Sequence, residues 1–183
     1  MPPPPASHVN ENTACARVVF AHGKESGPWG SKICHLADIA RTHGFIADSI
    51  DYQGMTTPQA RLLHLLALQD NQPAGQALVL VGSSMGGYVS AFACEKLAPH
   101  ALFLLAPALY MDGYPGEPAA CPSDTVVVHG WNDDVVPVES SICFARSRRA
   151  ALHLVDDGHR LANSIDFIGQ IFERQLARML ART

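Results

Sequence analysis

Short apolar runs alternate with amphipathic segments along the chain, and this alternation predicts its secondary structure. Six runs are mostly apolar and rich in β-branched residues, which is typical of buried strands. They span residues 16–21, 45–50, 78–81, 101–106, 125–129 and 151–155. Between them, apolar residues recur at three- and four-residue spacing, which predicts helices. The five helices are predicted to begin near Ser31, Pro58, Gly87, Val138 and Asn163.

The ends of two helices and the faces of three are predicted in more detail. Ser31 is the expected N-cap of the first helix, and Gly44 is its expected left-handed end. Thr57 is the expected cap of the second helix, with Pro58 at its first position. The predicted apolar residues are Ile33, Leu36, Ala37 and Ala40 in the first helix, Leu62, Leu63, Leu65, Leu66 and Leu68 in the second, and Ile165, Ile168, Ile171, Phe172, Leu176 and Met179 in the last.

Strands that are apolar on both faces and alternate with helices predict a parallel sheet covered on both sides. We therefore expect an α/β fold, a three-layer sandwich with a roughly six-stranded, mainly parallel sheet. Right-handed crossovers bring the C-terminal ends of the strands to one edge, where ligands bind in such sheets. The expected organisation is a single domain over residues 16–183, preceded by a flexible, proline-rich tail over residues 1–15.

Composition and charge exclude several classes of function. The net charge of -4, without an extended basic stripe, argues against a nucleic-acid surface. The longest nearly unbroken apolar run, 101–111, is too short to span a bilayer. Five cysteines without a C-x-x-C pair or histidines at zinc spacing predict reduced thiols and neither a metal nor a cofactor. With no signal-peptide pattern at the N-terminus, we expect a cytoplasmic protein.

The stretch 77–88 predicts a serine in a tight turn between a strand and a helix. Gly82, Ser84 and Gly86 have the G-x-S-x-G spacing of a nucleophile elbow, which exposes a serine hydroxyl at the end of a strand. A Cβ at either glycine would strike the strand or the helix, because the backbone doubles back here. The turn directs the N–H of Met85 to where an oxyanion would form. Alone, the pattern also fits an ordinary strand-to-helix turn.

A carboxylate and an imidazole follow two later strands and are expected at the same edge of the sheet. Residues 129–137, HGWNDDVVP, follow the fifth strand and contain Asp133 and Asp134. Residues 156–161, DDGHRL, follow the sixth strand and contain His159. The order serine, acid, histidine is the chain order of a hydrolytic triad in one large group of α/β enzymes.

With these motifs, the chain resembles the α/β-hydrolase superfamily, specifically its small cap-less serine esterases of the dienelactone-hydrolase-like kind. The resemblance spans residues 16–182 and rests on segments 22–24, 82–86, 129–137 and 157–161. It implies that Ser84 is the nucleophile, that His159 is the base and that Asp133 is the acid, with Asp134 as a second carboxylate beside it. It also implies an oxyanion hole formed by the backbone N–H groups of Lys24 and Met85.

The sequence departs from the full pattern of that superfamily in two ways. The first two strands are missing, because only about fifteen residues precede the first predicted strand. A cap domain is missing too, because only residues 107–124 lie between the fourth and fifth predicted strands. Both departures affect the substrate pocket and the sheet edge rather than the three motif residues.

The implied function is a serine hydrolase that cleaves small to medium acyl esters through an acyl-serine intermediate. A small-molecule acyl substrate is its expected partner, and the oligomeric state is not predicted. A thioesterase, amidase or peptidase with the same triad is one alternative. A non-catalytic binding module that keeps the fold is the other.

Other polar and aromatic residues at this edge have simpler expected roles. His22 and His129 are expected to be buried, hydrogen-bonded imidazoles that brace their loops. Lys24 and Glu25 are expected to have solvated side chains, and steering of an anionic substrate is the alternative. Five residues on connecting loops fit either an acyl pocket or a cover over the core, namely Trp29, Tyr110, Met111, Tyr114 and Trp131.

Overall fold

The computed structural model describes residues 16–70 and 75–181, and these form six strands and five helices in strict alternation. The strands are β1 (Arg17–Ala21), β2 (Ile46–Ile50), β3 (Leu78–Ser83), β4 (Ala101–Leu105), β5 (Thr125–Gly130) and β6 (Ala151–Val155). The helices are α1 (Ser31–Thr42), α2 (Pro58–Gln69), α3 (Met85–Leu97), α4 (Val138–Arg148) and α5 (Ile165–Leu180). Each predicted element is therefore present, with boundaries shifted by a few residues.

The six strands form one sheet in the order β2-β1-β3-β4-β5-β6, and every pair is parallel. In its register, Phe20 of β1 lies opposite Ser49 of β2 and Val81 of β3. The expected α/β sandwich is thus confirmed, with a sheet that is wholly rather than mainly parallel. All six strands end at one edge, and the loops that leave this edge carry the candidate chemistry.

Helices cover both faces of the sheet, which creates two apolar cores. On one face α1 and α5 pack against the strands, and Phe172 of α5 makes edge contacts with the rings of Phe20 and Phe103. On the other face α2, α3 and α4 pack against strand residues such as Leu80 and Leu102. The predicted stripe of α1 is buried, which confirms the interpretation of its apolar spacing.

The predicted ends of α1 and α2 can be compared with their backbone angles and hydrogen bonds. Thr57 caps α2 by accepting the N–H of Ala60 at its side-chain oxygen, and Pro58 is the first helical residue, as predicted. Gly44 follows α1 with a φ of +81°, also as predicted. The prediction for Ser31 is wrong, because Gly30 holds the N-cap position without a side-chain bond and Ser31 already lies in the helix.

The buried face of α2 differs from the predicted leucine face. Pro58, Arg61 and Leu65 are its buried residues, whereas Leu63 is 68% exposed. The spacing of three and four residues is as expected, but the helix is turned so that a guanidinium rather than a second leucine faces inward. In this orientation α2 packs against α3, and Arg61 donates to the carbonyls of His22 and Gly23. The leucine-rich sequence of α2 does not reveal the orientation.

The tail predicted over residues 1–15 lies outside the described residues, and so does the very end of the predicted domain. The segment 107–124 between β4 and β5 contains no helix or strand, apart from an isolated bridge between Met111 and Tyr114. Within 16–70 and 75–181, no helix is both long and apolar enough to cross a membrane.

Candidate active site

Ser84 lies at a sharp turn between β3 and α3, with a φ of +54° that is unusual for a residue with a side chain. A Cβ on Gly82 would lie 2.3 Å from the carbonyl oxygen of Gly86, and one on Gly86 would lie 2.0 Å from that of Ala21. The steric requirement predicted for both glycines is therefore confirmed. The turn leaves the serine side chain half-buried at the C-terminal edge of the sheet.

The strained backbone of Ser84 is held by four hydrogen bonds. Its N–H donates to the carbonyl of Leu105 at 2.9 Å, which ties the turn to the end of β4. Its carbonyl accepts the N–H groups of Gly87, Tyr88 and Ala108 at 2.9, 3.2 and 3.0 Å. Such a conformation persists only where its surroundings determine it, and here two helical N–H groups and the loop after β4 do so.

Ser84, His159 and Asp133 form a continuous hydrogen-bonded chain. The Ser84 Oγ lies 3.1 Å from Nε2 of His159, and Nδ1 of the same ring lies 2.7 Å from Oδ2 of Asp133. Because an ionised carboxylate only accepts, Nδ1 carries the ring proton and Nε2 is free to accept the serine hydroxyl. Residues from three loops, after β3, β5 and β6, are thus brought together in the arrangement expected for a triad.

The carboxylate of Asp133 is fully buried and accepts hydrogen bonds on both oxygens. Oδ1 accepts the N–H groups of Val135 and Val136 at 2.9 and 2.8 Å, which leaves Oδ2 for His159. Burial alone would raise the pKa of this carboxyl, but the bonds from Val136, His159 and Val135 outweigh it and hold the pKa below its usual value. The neighbouring Asp134 is exposed, so the structure brings Asp133 and not Asp134 to the imidazole.

A second imidazole, that of His129 at the end of β5, touches the same carboxylate. Its Nε2 donates to the carbonyl of Val136 at 3.0 Å and also lies 3.0 Å from Oδ2 of Asp133. Its Nδ1 accepts the hydroxyl of Ser141 in α4 at 2.7 Å. The ring is fully buried, and this burial lowers its pKa, so it is neutral. The sequence suggested a bracing role for His129, but its contact with Asp133 was not predicted.

The loop that carries His159 is fixed by its own carboxylate, Asp157. Its oxygens accept the N–H groups of Gly158 and Asn163, both at 2.8 Å, and the hydroxyl of Ser164 at 3.0 Å. Burial would raise the pKa of Asp157, but these hydrogen bonds outweigh it and lower the pKa. The sequence placed Asp157 in a motif but gave it no role. An Asp–Gly pair just before the candidate histidine was the available signal for a side-chain anchor.

The loop after β1, residues 22–24, packs directly against the serine. A Cβ on Gly23 would lie 3.5 Å from the Ser84 Cβ. The carbonyl of Gly23 accepts Nδ1–H of His22 at 2.7 Å and Nη1–H of Arg61 at 3.2 Å. In a trans peptide, the next N–H points away from that carbonyl. The N–H of Lys24 is therefore directed away from both side chains.

His22 and Arg61 together hold this loop from the side of α2. The Nε2 of His22 accepts the backbone N–H of Tyr52 at 3.2 Å, and burial lowers the pKa of the ring, which is therefore neutral. Arg61 donates from Nη1 to the His22 carbonyl at 3.0 Å and from Nε to the Met55 carbonyl at 2.9 Å. His22 thus braces its loop as expected. The part played by Arg61 was missed, because the sequence gives only a charged residue within a leucine-rich helix.

A pocket of about 320 Å³ opens beside this loop, between the ends of β1 and β2 and the start of α2. Its lining includes His22, Lys24, Tyr52, Met55 and Arg61. None of the five loop residues considered for an acyl pocket from the sequence lines it. The side chains of Lys24 and Glu25 border it and are exposed, as expected.

Lys32, in the first turn of α1, contacts the end of the strand that leads to Ser84. Its Nζ donates to the Ser83 hydroxyl at 3.4 Å. Burial lowers its pKa to about 8, while Asp157 and Asp133 act in the opposite direction. The ammonium group of Lys32, with its lowered pKa, thus contacts the residue that precedes the candidate nucleophile.

Within the part of the chain that the structure describes, no group of three or more histidine, cysteine or acidic side chains could hold a metal ion. The cysteines described there, Cys34, Cys94, Cys121 and Cys143, are free thiols. The side chains that meet at this edge of the sheet are a hydroxyl, an imidazole and a carboxylate, which can take part in acyl transfer.

Comparison with known proteins identifies the family. The profile of the family described as "Uncharacterised protein family (UPF0227)" matches residues 17–118, more than half of the chain. A comparison with curated proteins finds no match. Among solved structures, a protein placed in the alpha/beta superfamily of hydrolases, from Xanthomonas campestris pv. campestris, is 32% identical with a TM-score of 0.82. The match covers 89% of this chain and 99% of that one.

More distant structures share the fold. Est1E from Butyrivibrio proteoclasticus, with ferulic acid bound, is 17% identical with a TM-score of 0.75, over 94% of this chain and 92% of that one. An esterase from Pyrococcus furiosus is 16% identical with a TM-score of 0.68, over 91% and 81% of the two chains. From its family match and its full-length similarity to the Xanthomonas protein, the chain belongs to the UPF0227 family and to the alpha/beta-hydrolase superfamily.

Proposed function

We propose that this member of the hydrolase superfamily is a serine hydrolase that cleaves small to medium acyl esters through an acyl-serine intermediate. The observation that carries the proposal is the unbroken chain of hydrogen bonds from Ser84 through His159 to Asp133, at 3.1 and 2.7 Å. Each member stands on a different loop, so an accidental meeting of three such side chains in this order is a poor explanation.

In the first step, Ser84 attacks the ester carbonyl carbon. Its hydroxyl proton passes to Nε2 of His159, which the tautomer fixed by Asp133 leaves free to accept it. The imidazolium that forms lies beside the buried, ionised carboxylate of Asp133, which stabilises its charge. His159 then returns the proton to the oxygen of the leaving alcohol as the carbon–oxygen bond breaks, which leaves the acyl group on Ser84.

The negative oxygen of the tetrahedral intermediate needs hydrogen-bond donors. The N–H of Met85, at the start of α3, and the N–H of Lys24 are the proposed pair, and neither has a hydrogen-bond partner among the described residues. The hydrogen bonds that His22 and Arg61 donate to the Gly23 carbonyl support this assignment, because they fix the direction of the Lys24 N–H. Each such donor is typically worth about a hundred- to a thousand-fold in rate.

In the second step, a water molecule attacks the acyl-serine. His159 takes a proton from the water and returns it to Ser84 Oγ, which releases the carboxylic acid.

The proposed substrates carry small to medium acyl groups. A pocket of about 320 Å³ and a segment 107–124 without a helical cap both favour small or medium substrates. Est1E, which shares the fold, binds ferulic acid, and another fold neighbour is an esterase.

A fluorophosphonate probe tests the nucleophile directly. The wild-type protein should be labelled, and Ser84→Ala should lose the label while its thermal unfolding stays close to that of the wild type. Ser83→Ala is the matched control, because it removes the adjacent hydroxyl and should keep the label. A wild-type protein that takes no label, or a label that survives Ser84→Ala, would refute the proposal.

A substrate panel tests the bond that is cleaved. We expect kcat/KM to be highest for short-chain p-nitrophenyl esters, compared with the corresponding acyl thioesters and aminoacyl amides. Higher values for thioesters or amides would keep the nucleophile but replace the proposed substrate class. Labelling without turnover of any of the three would contradict the second, hydrolytic step.

A further inference from the structure

Arg61 is a buried cation without an acidic partner. It is 2% exposed and forms no ion pair with any described side chain. Its Nε and Nη1 donate to the carbonyls of Met55, His22 and Gly23, whereas Nη2 has no hydrogen-bond partner among residues 16–70 and 75–181. A buried charge is costly unless an opposite charge or hydrogen bonds compensate it. The two N–H groups on Nη2 are thus free to bind a group in the adjoining pocket.

The Tyr52 hydroxyl is a second donor that lacks a partner, and it belongs to a ring that contacts Arg61. The Arg61 Cζ lies 5.0 Å from the centre of the Tyr52 ring, which is a cation–π contact. The Tyr52 side chain is fully buried, and its hydroxyl has no partner among the described residues. Burial raises the pKa of this hydroxyl, so it stays protonated and available as a donor. Buried polar groups without partners are rare, and each calls for an explanation.

Both residues line the pocket beside the loop 22–24, and the charges there favour an anion. Lys24 adds a second cation to the lining, and Glu25 is its one acidic residue. His22 also lines the pocket and is neutral. Glu25 is exposed at the rim, whereas Arg61 is buried, so the inner part of the pocket is positive.

The sheet order tells which part of a substrate would enter this pocket. The pocket is built at the ends of β1 and β2, on one side of the serine strand β3, whereas His159 follows β6 on the other side. The leaving alcohol must face His159, which protonates it. The rest of the acyl group would then extend toward β1 and β2, the side on which this pocket lies, although Ser84 itself is not among the residues that line it.

We propose that this pocket binds an acyl chain that ends in a carboxylate, so that the substrates are half-esters of dicarboxylic acids. The inference rests on the proposed serine hydrolase function and names its substrate class. The distal carboxylate would accept from Nη2 of Arg61 and from the Tyr52 hydroxyl, donors whose planar and phenolic geometry suits carboxylate oxygens. This carboxylate takes no part in the reaction: water is consumed at the ester carbonyl, and the products are the alcohol and the dicarboxylic acid.

The first test compares two esters of equal chain length in a pH-stat assay. Ethyl hydrogen adipate carries a carboxylate at the end of its six-carbon acyl chain, and ethyl hexanoate ends in a methyl group. The wild-type enzyme should have a kcat/KM at least about 10-fold higher for the adipate half-ester, since a hydrogen bond to a charged group is worth about that much or more. Equal values, or a preference for the hexanoate, would overturn the inference.

The second test assigns the preference to its donors. Arg61→Met should lower the adipate-to-hexanoate ratio of kcat/KM by about 10- to 100-fold, and Tyr52→Phe by a smaller factor. The ratio is used because Arg61 also holds the loop 22–24, and any damage to that loop should slow both esters alike. Arg174→Met, at an exposed arginine of α5, is the matched control and should leave the ratio unchanged. A ratio that stays high in both pocket variants would overturn the inference.

The inference and the function on which it rests fail in different ways. If Ser84 takes the fluorophosphonate label and ethyl hexanoate is hydrolysed without any preference for the adipate half-ester, only the inference is wrong. If no label is taken and neither ester is hydrolysed, the function is wrong as well. Because Tyr52→Phe removes a single oxygen atom, it keeps the test decisive should Arg61→Met fail to fold.

Discussion

The identity of the acid can be tested by a pair of matched substitutions, Asp133→Asn and Asp134→Asn. The carboxylate of Asp133 accepts two backbone N–H groups on Oδ1 and His159 on Oδ2, and its surroundings offer it donors only. An amide has one accepting oxygen and one NH2 group, so it cannot satisfy both sides. The side chain of Asp134 is exposed, and the same substitution there changes only a solvated group.

Either orientation of the new amide is unfavourable. With its oxygen on the backbone side, its NH2 faces His159 and pushes the ring proton to Nε2, where it blocks acceptance from Ser84. With its oxygen on the histidine side, its NH2 meets the N–H groups of Val135 and Val136, and buried donors lose their acceptor. The first orientation predicts a loss of about 10⁴-fold in kcat, the size seen when a triad acid becomes an amide. The second predicts a loss of about 1–3 kcal/mol in the free energy of unfolding.

Three measurements separate these effects: kcat with a p-nitrophenyl ester, the rate of fluorophosphonate labelling, and urea unfolding. Asp133→Asn should lose at least about a thousand-fold in kcat and in labelling rate, and it should still fold. Asp134→Asn should stay within about two-fold of the wild type. A folded Asp133→Asn variant that keeps a tenth of the wild-type kcat would refute the reasoning, and so would a larger loss in Asp134→Asn.

Three further predictions concern the elbow, the lysine beside it and the second imidazole. Gly86→Ala should unfold far more easily than the wild type and lose the fluorophosphonate label, because its Cβ would lie 2.0 Å from the Ala21 carbonyl oxygen. Gly27→Ala is the control, because the space around its Cβ is open. It should behave like the wild type in the same thermal unfolding and labelling measurements. Burial lowers the Lys32 pKa from 10.5 to about 8, so between these pH values the unfolded chain binds more protons and stability rises with pH. Urea unfolding measures this as the difference in unfolding free energy between the wild type and Lys32→Met. As the pH rises from 8 to 10.5, this difference should change by about 3 kcal/mol in favour of the wild type. No change in the difference would contradict the lowered pKa. His129→Phe removes the contact between this imidazole and Asp133 without touching substrate. The factor by which it lowers kcat should therefore be about ten times the factor by which it raises KM. Equal factors would point to a merely structural role.

The sequence sufficed for the fold and for the three loops of the site because each depends on local signals. A parallel sheet follows from runs that are apolar on both faces, and the elbow follows from the steric needs of Gly82 and Gly86. The burial of Arg61, by contrast, could not be deduced from leucine spacing, because it involves contacts of α2 with α3 and with the loop 22–24. The N-cap of α1 also depends on contacts outside the helix: the turn 27–30, closed by the N–H of Gly30 donating to the Gly27 carbonyl, makes Gly30 rather than Ser31 the N-cap.

The backbone also explains why the two side-chain contacts of His159 differ in length, 2.7 Å to Asp133 and 3.1 Å to Ser84. The loops after β5 and β6 are joined by their main chains: the N–H of Trp131 donates to Val155 at 2.8 Å, and that of Asn132 donates to Asp157 at 3.0 Å. Gly130 permits this approach, because a Cβ there would lie 2.2 Å from the Asp157 carbonyl. The serine turn, in contrast, is tied to the end of β4 and the loop that follows it. Asp133 and His159 therefore form one unit that is fixed from both sides, and the 3.1 Å contact with Ser84 joins two separately anchored parts of the site. Substitutions at other residues of these two loops, which leave Asp133 and His159 in place, should accordingly act mainly on the distance between the imidazole and the serine hydroxyl.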